Sequence, residues 1–280
     1  MKIRLLIAAI AIVLCGTCRR EYSGKGDIAD TAKLPADYSF STGYCAGVGL
    51  DIPYPANTDS AVTLTTGMLP VSVLLDMPPA GNQGTQGSCS AWATIYAAGS
   101  YTYHLQTGAA YDSSVLLSPS YSYNQIARGN CTCTSITDNL NILKYQGASS
   151  LSEMAYSDAE CARQPDSAQA AKAVAFKISK WATVKASDTA LIKRLLFEKH
   201  VLVISVQVSA AFKQLSAPFI WNETQPATGG PHAIAVTGYD ENMHAFRIMN
   251  SWSGGWADNG FAWMDYDFFT VNAADCFVVY

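Results

Sequence analysis

The stretch HAIAVTGYDENMHAFRIMN, residues 232–250, constrains the fold of this chain more than any other. Two apolar runs, His232 to Tyr239 and His244 to Asn250, flank the polar turn DENM, a pattern that specifies an antiparallel hairpin. With the turn centred on Glu241, His232 is expected opposite Asn250, Ile234 opposite Ile248 and Val236 opposite Phe246. All six then share one face. A slip of one residue would send the histidine and the asparagine to opposite faces. Strands are also expected at Val201 to Val208 (VLVISVQV) and Phe261 to Tyr266 (FAWMDY).

The first half has a different character. From Ala91 the spacing of Trp92, Ile95, Tyr96, Gly99 and Tyr103 predicts a helix, with alanines and Gly99 offering a close-packing face. Leu116 to Ile126 and Ile136 to Tyr145 are further helices by the same test, Ala168 to Ile178 reads as a connector, and a short helix is expected at Thr189 to Lys199. A helical half followed by a strand half is an α+β arrangement, and the groove between the halves is where a site is expected.

The chain opens MKIRLLIAAIAIVLCGTCRR. Lys2 and Arg4, the apolar run Leu5 to Leu14 and the small residues after it have the layout of a secretory signal peptide, 1–18, too short in its apolar part to span a membrane. Cys18 offers the acylation site of a bacterial lipoprotein signal, although Cys15, Gly16 and Thr17 before it fit that signal loosely. The expectation is therefore an exported protein: periplasmic, secreted, or attached to the outer membrane through a lipid on Cys18. Residues 19–68 read as an irregular N-terminal extension and 69–280 as one globular domain. Net charge is −4, with no basic cluster beyond Arg19 and Arg20, which argues against nucleic acid as a partner.

GNQGTQGSCSAW, from Gly81, turns a glycine-rich loop into a helix at one cysteine. Gly81, Gly84 and Gly87 suit tight or left-handed backbone, and Ser88 stands at the N-cap position, so Cys89 falls at or near a helix N-terminus. A helix N-terminus and a nearby imidazolium both favour the thiolate, which is the nucleophilic form. Of the four histidines, His104 points down the same helix, His200 lies among charged residues and His244 borders a turn. His232 heads a strand behind the flexible TGGP, and Asn250 across the hairpin can accept its N–H and orient the ring.

Three blocks, NQGTQGSC (82–89), PHAIAVTGYD (231–240) and NSWSGGWADNGFAWM (250–264), resemble the active-site blocks of papain-like cysteine peptidases, in that family's chain order. The resemblance implies a two-lobed α+β fold, a helical lobe and an antiparallel β-rich lobe with the cleft between them. It makes Cys89 the nucleophile, His232 the general base and then acid, Asn250 the orienter of the imidazole and Gln83 an oxyanion-hole donor. Trp252 matches the indole that shields the His/Asn bond. The activity implied is peptide hydrolysis through a thioester, without metal or cofactor, by a monomer acting on a polypeptide substrate.

The departures are specific. Gln86 and Ser90 replace a cysteine and an aromatic residue of the family, and CTCT, 131–134, stands in place of a cysteine followed by two glycines. Substrate preference therefore does not transfer. The same groups also serve amidases of cell-wall peptide stems, and inactive papain-like binding modules exist. Cys131 and Cys133 lack zinc-finger spacing. In an exported chain, the family's topology suggests a disulfide from Cys161 to Cys131 or Cys133, and an odd cysteine left unpaired.

Overall fold

A computed structural model describes residues 34, 38, 40–46 and 54–280. The proposed signal segment, Cys18 and most of 19–53 lie outside the described residues. Strand β1 (Ser72–Leu74) precedes the glycine-rich loop, and α1 (Cys89–Ala91) runs without a break into a π-helical segment (Trp92–Gly99) and α2 (Ser100–Thr107). Every residue of the π-helical segment is buried, so tertiary packing rather than an exposed polar face stabilises it. Gly99 earns its place there: a Cβ would lie 2.9 Å from Leu117 and 3.3 Å from Leu143.

Helices α3 (Pro119–Ala127) and α4 (Ile136–Tyr145) complete the helical lobe. Pro119 occupies the first turn of α3, where its missing N–H costs nothing, and Ser135 caps α4 by accepting from the Asp138 N–H. The expected connector at 168–178 is instead α5 (Ser167–Ala173) and a 3-10 turn, because Asp166 and Gln169 close a capping box that a reading for apolar periodicity overlooks.

The β-rich lobe follows with β2 (Trp181–Thr183), α6 (Thr189–Phe197), β3 (Leu202–Gln207), α7 (Ala210–Lys213), β4 (Ile220–Trp221), β5 (Pro231–Asp240), β6 (Ala245–Met249), β7 (Phe261–Asp265), α8 (Tyr266–Asn272) and β8 (Ala273–Val279). Strand order is β2-β8-β3-β5-β6-β7-β4, with β1 added to β5. All pairings are antiparallel except β4 with β7. The four strands expected from sequence are present; β8 escaped notice because its apolar residues abut the aromatic α8. No helix among the described residues is long and apolar enough to cross a membrane.

The hairpin register differs from expectation in an instructive way. The turn spans residues 241–244, pairing Asp240 with Ala245 and Tyr239 with Phe246, an odd displacement from the expected register that alone would separate the faces. A bulge at Thr237 then takes back one residue, so Val236 pairs with Ile248 and Ala235 with Met249. The net displacement is two residues. His232 is thus diagonal to Asn250 rather than opposite, yet both remain on the face expected of them.

Candidate active site

Cys89 is the first helical residue and 0 % exposed. Ser88 occupies the N-cap position without capping: Tyr156 donates its hydroxyl to the Gln83 carbonyl at 2.8 Å, and Ser88 donates to Tyr156 at 2.7 Å. The serine therefore ties the loop to the helical lobe. Of the loop glycines, Gly84 alone is left-handed, at φ +59°, while Gly81 lies against the Trp92 ring.

From β5 comes the second group. His232 Nε2 lies 2.8 Å from Asn250 Oδ1, which also accepts the Ser251 N–H at 2.8 Å. A backbone N–H can only donate, so that amide atom is the oxygen and Nε2 carries the ring proton. Nδ1 is left as the ring nitrogen with no hydrogen-bond partner among the described residues. The Ala233 N–H bonds the Cys89 sulfur, which puts the thiol one residue along β5 from the imidazole.

Trp252 covers this pair. Its indole stacks on the imidazole with ring centres 4.8 Å apart and 28° between planes. Behind it, Phe212 touches Trp221, Trp252 and Trp256 at ring separations of 4.3, 5.3 and 4.8 Å, and Trp256 Nε1 donates to the Phe212 carbonyl. Phe212, on the four-residue α7, was not legible as a site residue: one aromatic among alanines carries no periodic signal.

Gln83 is wholly buried. Its Nε2 donates to the Gln86 carbonyl at 2.9 Å and its Oε1 accepts from Ser251 at 2.7 Å. One amide N–H is therefore committed to the loop and the other is outside that bond. Gln86, at the position of a family cysteine, reaches the Glu160 carbonyl at 3.2 Å, and Ser90 donates to the Thr134 carbonyl at 2.7 Å.

The cleft is occupied by the chain's own N-terminal extension. The Ser41 carbonyl accepts from Trp252 Nε1 at 3.0 Å, and Thr42 lies against Gly230. Gly43 abuts the Gly87 backbone so closely that a Cβ would overlap it, and its N–H bonds the Cys89 sulfur. Tyr44 forms a parallel bridge with Thr134: Thr134 N donates to Gly43 O at 3.0 Å, and Cys45 N to Thr134 O at 3.2 Å. The Tyr44 hydroxyl donates to Asp275, which also accepts from Ser205. Disulfides join Cys45 to Cys133 and Cys131 to Cys161, leaving Cys276 buried and free. Cys161 thus takes the first of its two expected partners.

Covering the cleft sets its electrostatics. Burial pushes the Cys89 thiol up to about 11, against the opposing pull of the Ala233 and Gly43 N–H groups. Burial likewise lowers His232 to about 4, with the Asn250 bond acting the other way. In this closed form burial favours the neutral thiol and the neutral imidazole. The remaining histidines lie elsewhere: His104 faces Asp76 at 3.4 Å, His244 faces Asp267 at 3.7 Å, and His200 packs on Tyr280. No metal-ligating cluster occurs among the described residues.

Residues 75–277 match the family described as papain family cysteine protease. The gamete and mating-type specific protein A of Dictyostelium discoideum is 28% identical over 183 residues, 65% of this chain; the match spans 39% of that relative's length. Among solved structures, xylellain, a cysteine protease from Xylella fastidiosa, has a TM-score of 0.72 at 22% identity, covering 88% of this chain and 98% of that one. Bromelain from Ananas comosus, solved with the E64 inhibitor, has a TM-score of 0.61 at 19% identity, covering 75% and 99%. At these identities the likeness establishes the fold, a two-lobed α+β architecture.

Proposed function

The chain belongs to the papain family of cysteine proteases, and from that membership we propose that it hydrolyses peptide bonds with Cys89 as nucleophile and His232 and Asn250 as its acid–base pair. The observation that carries this reading is the 2.8 Å bond from His232 Nε2 to Asn250 Oδ1, beside a sulfur held at Ala233. That bond leaves Nδ1 to take the thiol proton once the cleft opens and water or substrate solvates the pair.

In the proposed sequence the thiolate attacks the scissile carbonyl carbon, and the oxyanion is held by the Cys89 N–H and the uncommitted N–H of Gln83. The imidazolium gives its proton to the leaving amine as the C–N bond breaks. Water then adds to the thioester, with His232 as base, and the acid product leaves. Trp252 keeps solvent from competing for the His232–Asn250 bond.

The two disulfides among the described residues suit an oxidising compartment, which supports export through the N-terminal signal segment. Attachment through a lipid on Cys18 is tested by Cys18→Ala, which would release a detergent-partitioning protein into the aqueous phase. For the activity, a thiol-reduced sample is assayed on a denatured protein and on purified peptidoglycan. Cleavage of the protein, lost in Cys89→Ala, supports a peptidase; cleavage of peptidoglycan alone replaces this reading with a cell-wall amidase.

A further inference from the structure

We propose that the Cys45–Cys133 disulfide is a thiol-sensitive latch, which holds residues 40–46 across Cys89 and His232 in the oxidised protein and releases them when a low-molecular-weight thiol reduces it. The regulatory consequence rests on the peptidase reading of the cleft; the latch itself does not.

One end of the bridge is on the strap and the other on the cleft wall. Cys45 follows Tyr44 directly, and Cys133 precedes Thr134, the residue whose N–H and C=O both bond the strap. The disulfide therefore closes a covalent clamp around the one place where the strap is in β-register with the cleft. Neither cysteine is buried, and their neighbours Ala46 and Thr132 are exposed, so a small thiol reaches the sulfurs. The companion bridge joins the exposed Cys131 to Cys161, which is buried, so a thiol reaches it through the Cys131 sulfur alone.

What remains when the bridge is cut is modest. Besides the Phe40 ring packed on Trp252 at 4.9 Å, the polar contacts the strap keeps are two backbone bonds to Thr134, a long one from Tyr44 N to the Pro231 carbonyl at 3.5 Å, the Gly43 N–H on the Cys89 sulfur, the Tyr44 hydroxyl on Asp275, and Ser41 on the Trp252 indole. These groups can exchange their partners for water. The strap faces the Cys89 sulfur with the Gly43 N–H, a donor. Gly43 is what allows that approach, as a side chain there would overlap Gly87.

The redox step balances as two thiols reducing one disulfide: 2 RSH and Cys45–S–S–Cys133 give the Cys45 and Cys133 thiols and RSSR. A nucleophilic cysteine is active only as the free thiol or thiolate, so the reducing conditions that preserve Cys89 would also unlock the cleft above it.

The test is the alkylation rate of Cys89 by iodoacetamide, followed by peptide mass mapping, on three samples: the oxidised full chain, the same chain after mild dithiothreitol treatment and thiol removal, and the Cys45→Ser, Cys133→Ser double variant never exposed to thiol. Tethering raises the local concentration of the strap at the cleft by large factors, so at least a roughly tenfold faster labelling of Cys89 is expected in the second and third samples. The double variant excludes simple repair of an oxidised Cys89 as the cause, and the thiol-treated natural chain covers failure of the variant to fold. Equal labelling rates in all three, with mapping that shows the Cys45–Cys133 bridge opened in the second, would overturn the latch. Fast labelling with no peptide cleavage would instead overturn the peptidase reading and leave the latch standing.

Discussion

Trp252 stacks on His232 at 4.8 Å while its indole N–H holds the Ser41 carbonyl at 3.0 Å, so one side chain serves both the imidazole and the strap. The two duties are separable by substitution. Trp252→Phe keeps an aromatic ring over His232 but deletes the bond to Ser41; it should leave peptide hydrolysis by the reduced enzyme within a few-fold of normal while speeding Cys89 alkylation of the oxidised protein. Trp252→Ala removes a fully buried indole and should cost about 3–5 kcal/mol in denaturant unfolding. If Trp252→Phe labels no faster than the natural protein, the indole bond does not help hold the strap.

The proposed catalytic groups should be graded in their effects. Cys89→Ala removes the attacking atom and should reduce hydrolysis of a peptide substrate to background. His232→Ala should be nearly as severe, because thiolate formation and leaving-group protonation are both lost. Asn250→Ala frees the ring to turn and should leave measurable activity. Gln83→Ala deletes one oxyanion donor, for which losses of about 10²- to 10³-fold in kcat are typical. Retention of full activity by Cys89→Ala, with contaminating peptidases excluded, would refute the mechanism.

Acid should favour the open cleft. His232 is held at about 4 in the closed form against an ordinary 6.5, so with Cys89 replaced by Ala, which removes the internal proton source, the open form binds the extra proton between those values. The closed form is thus most favoured above pH 6.5 on this account and weakens as pH falls towards 4, by up to about 3 kcal/mol. In the Cys45→Ser, Cys133→Ser, Cys89→Ala variant, amide exchange at residues 41–45 should accelerate relative to the buried β3 amides over that window. A constant ratio from pH 7 to 4 would show that the cover over His232 does not respond to its charge.

Gly81→Ala tests how the glycine-rich loop seats the helix. A Cβ at position 81 would overlap the Trp92 ring, 2.7 Å from its Cη2, and Trp92 is itself packed against Tyr96 and Tyr156. Overpacking of this kind costs about 1–3 kcal/mol. The melting temperature should fall by several degrees, and a change within experimental scatter would mean that Trp92 yields without loss.

Much of this protein is local, and local patterns are what a sequence displays. Four strands of the β-rich lobe, β3, β5, β6 and β7, and the helix at Cys89 follow from residue spacing, because side-chain direction repeats every two residues in a strand and every 3.6 in a helix. The three blocks around Cys89, His232 and Asn250 carried the family resemblance for the same reason: each is contiguous. Tertiary structure decided the rest. The hairpin register depended on a four-residue turn and a bulge at Thr237, whose opposing shifts no alternation pattern reveals. Residues 40–46 have no periodicity, so nothing in them announces that they cross the cleft; they are placed by bonds to Thr134, Trp252 and Asp275, each remote in the chain. Cys45 found Cys133 across a separation of 88 residues, and the bias of Cys89 and His232 toward their neutral forms follows from the burial this closure imposes. Which cysteine meets which, and how much water a charge keeps, are properties of the packed chain, since both depend on groups brought together only when distant segments close on one another.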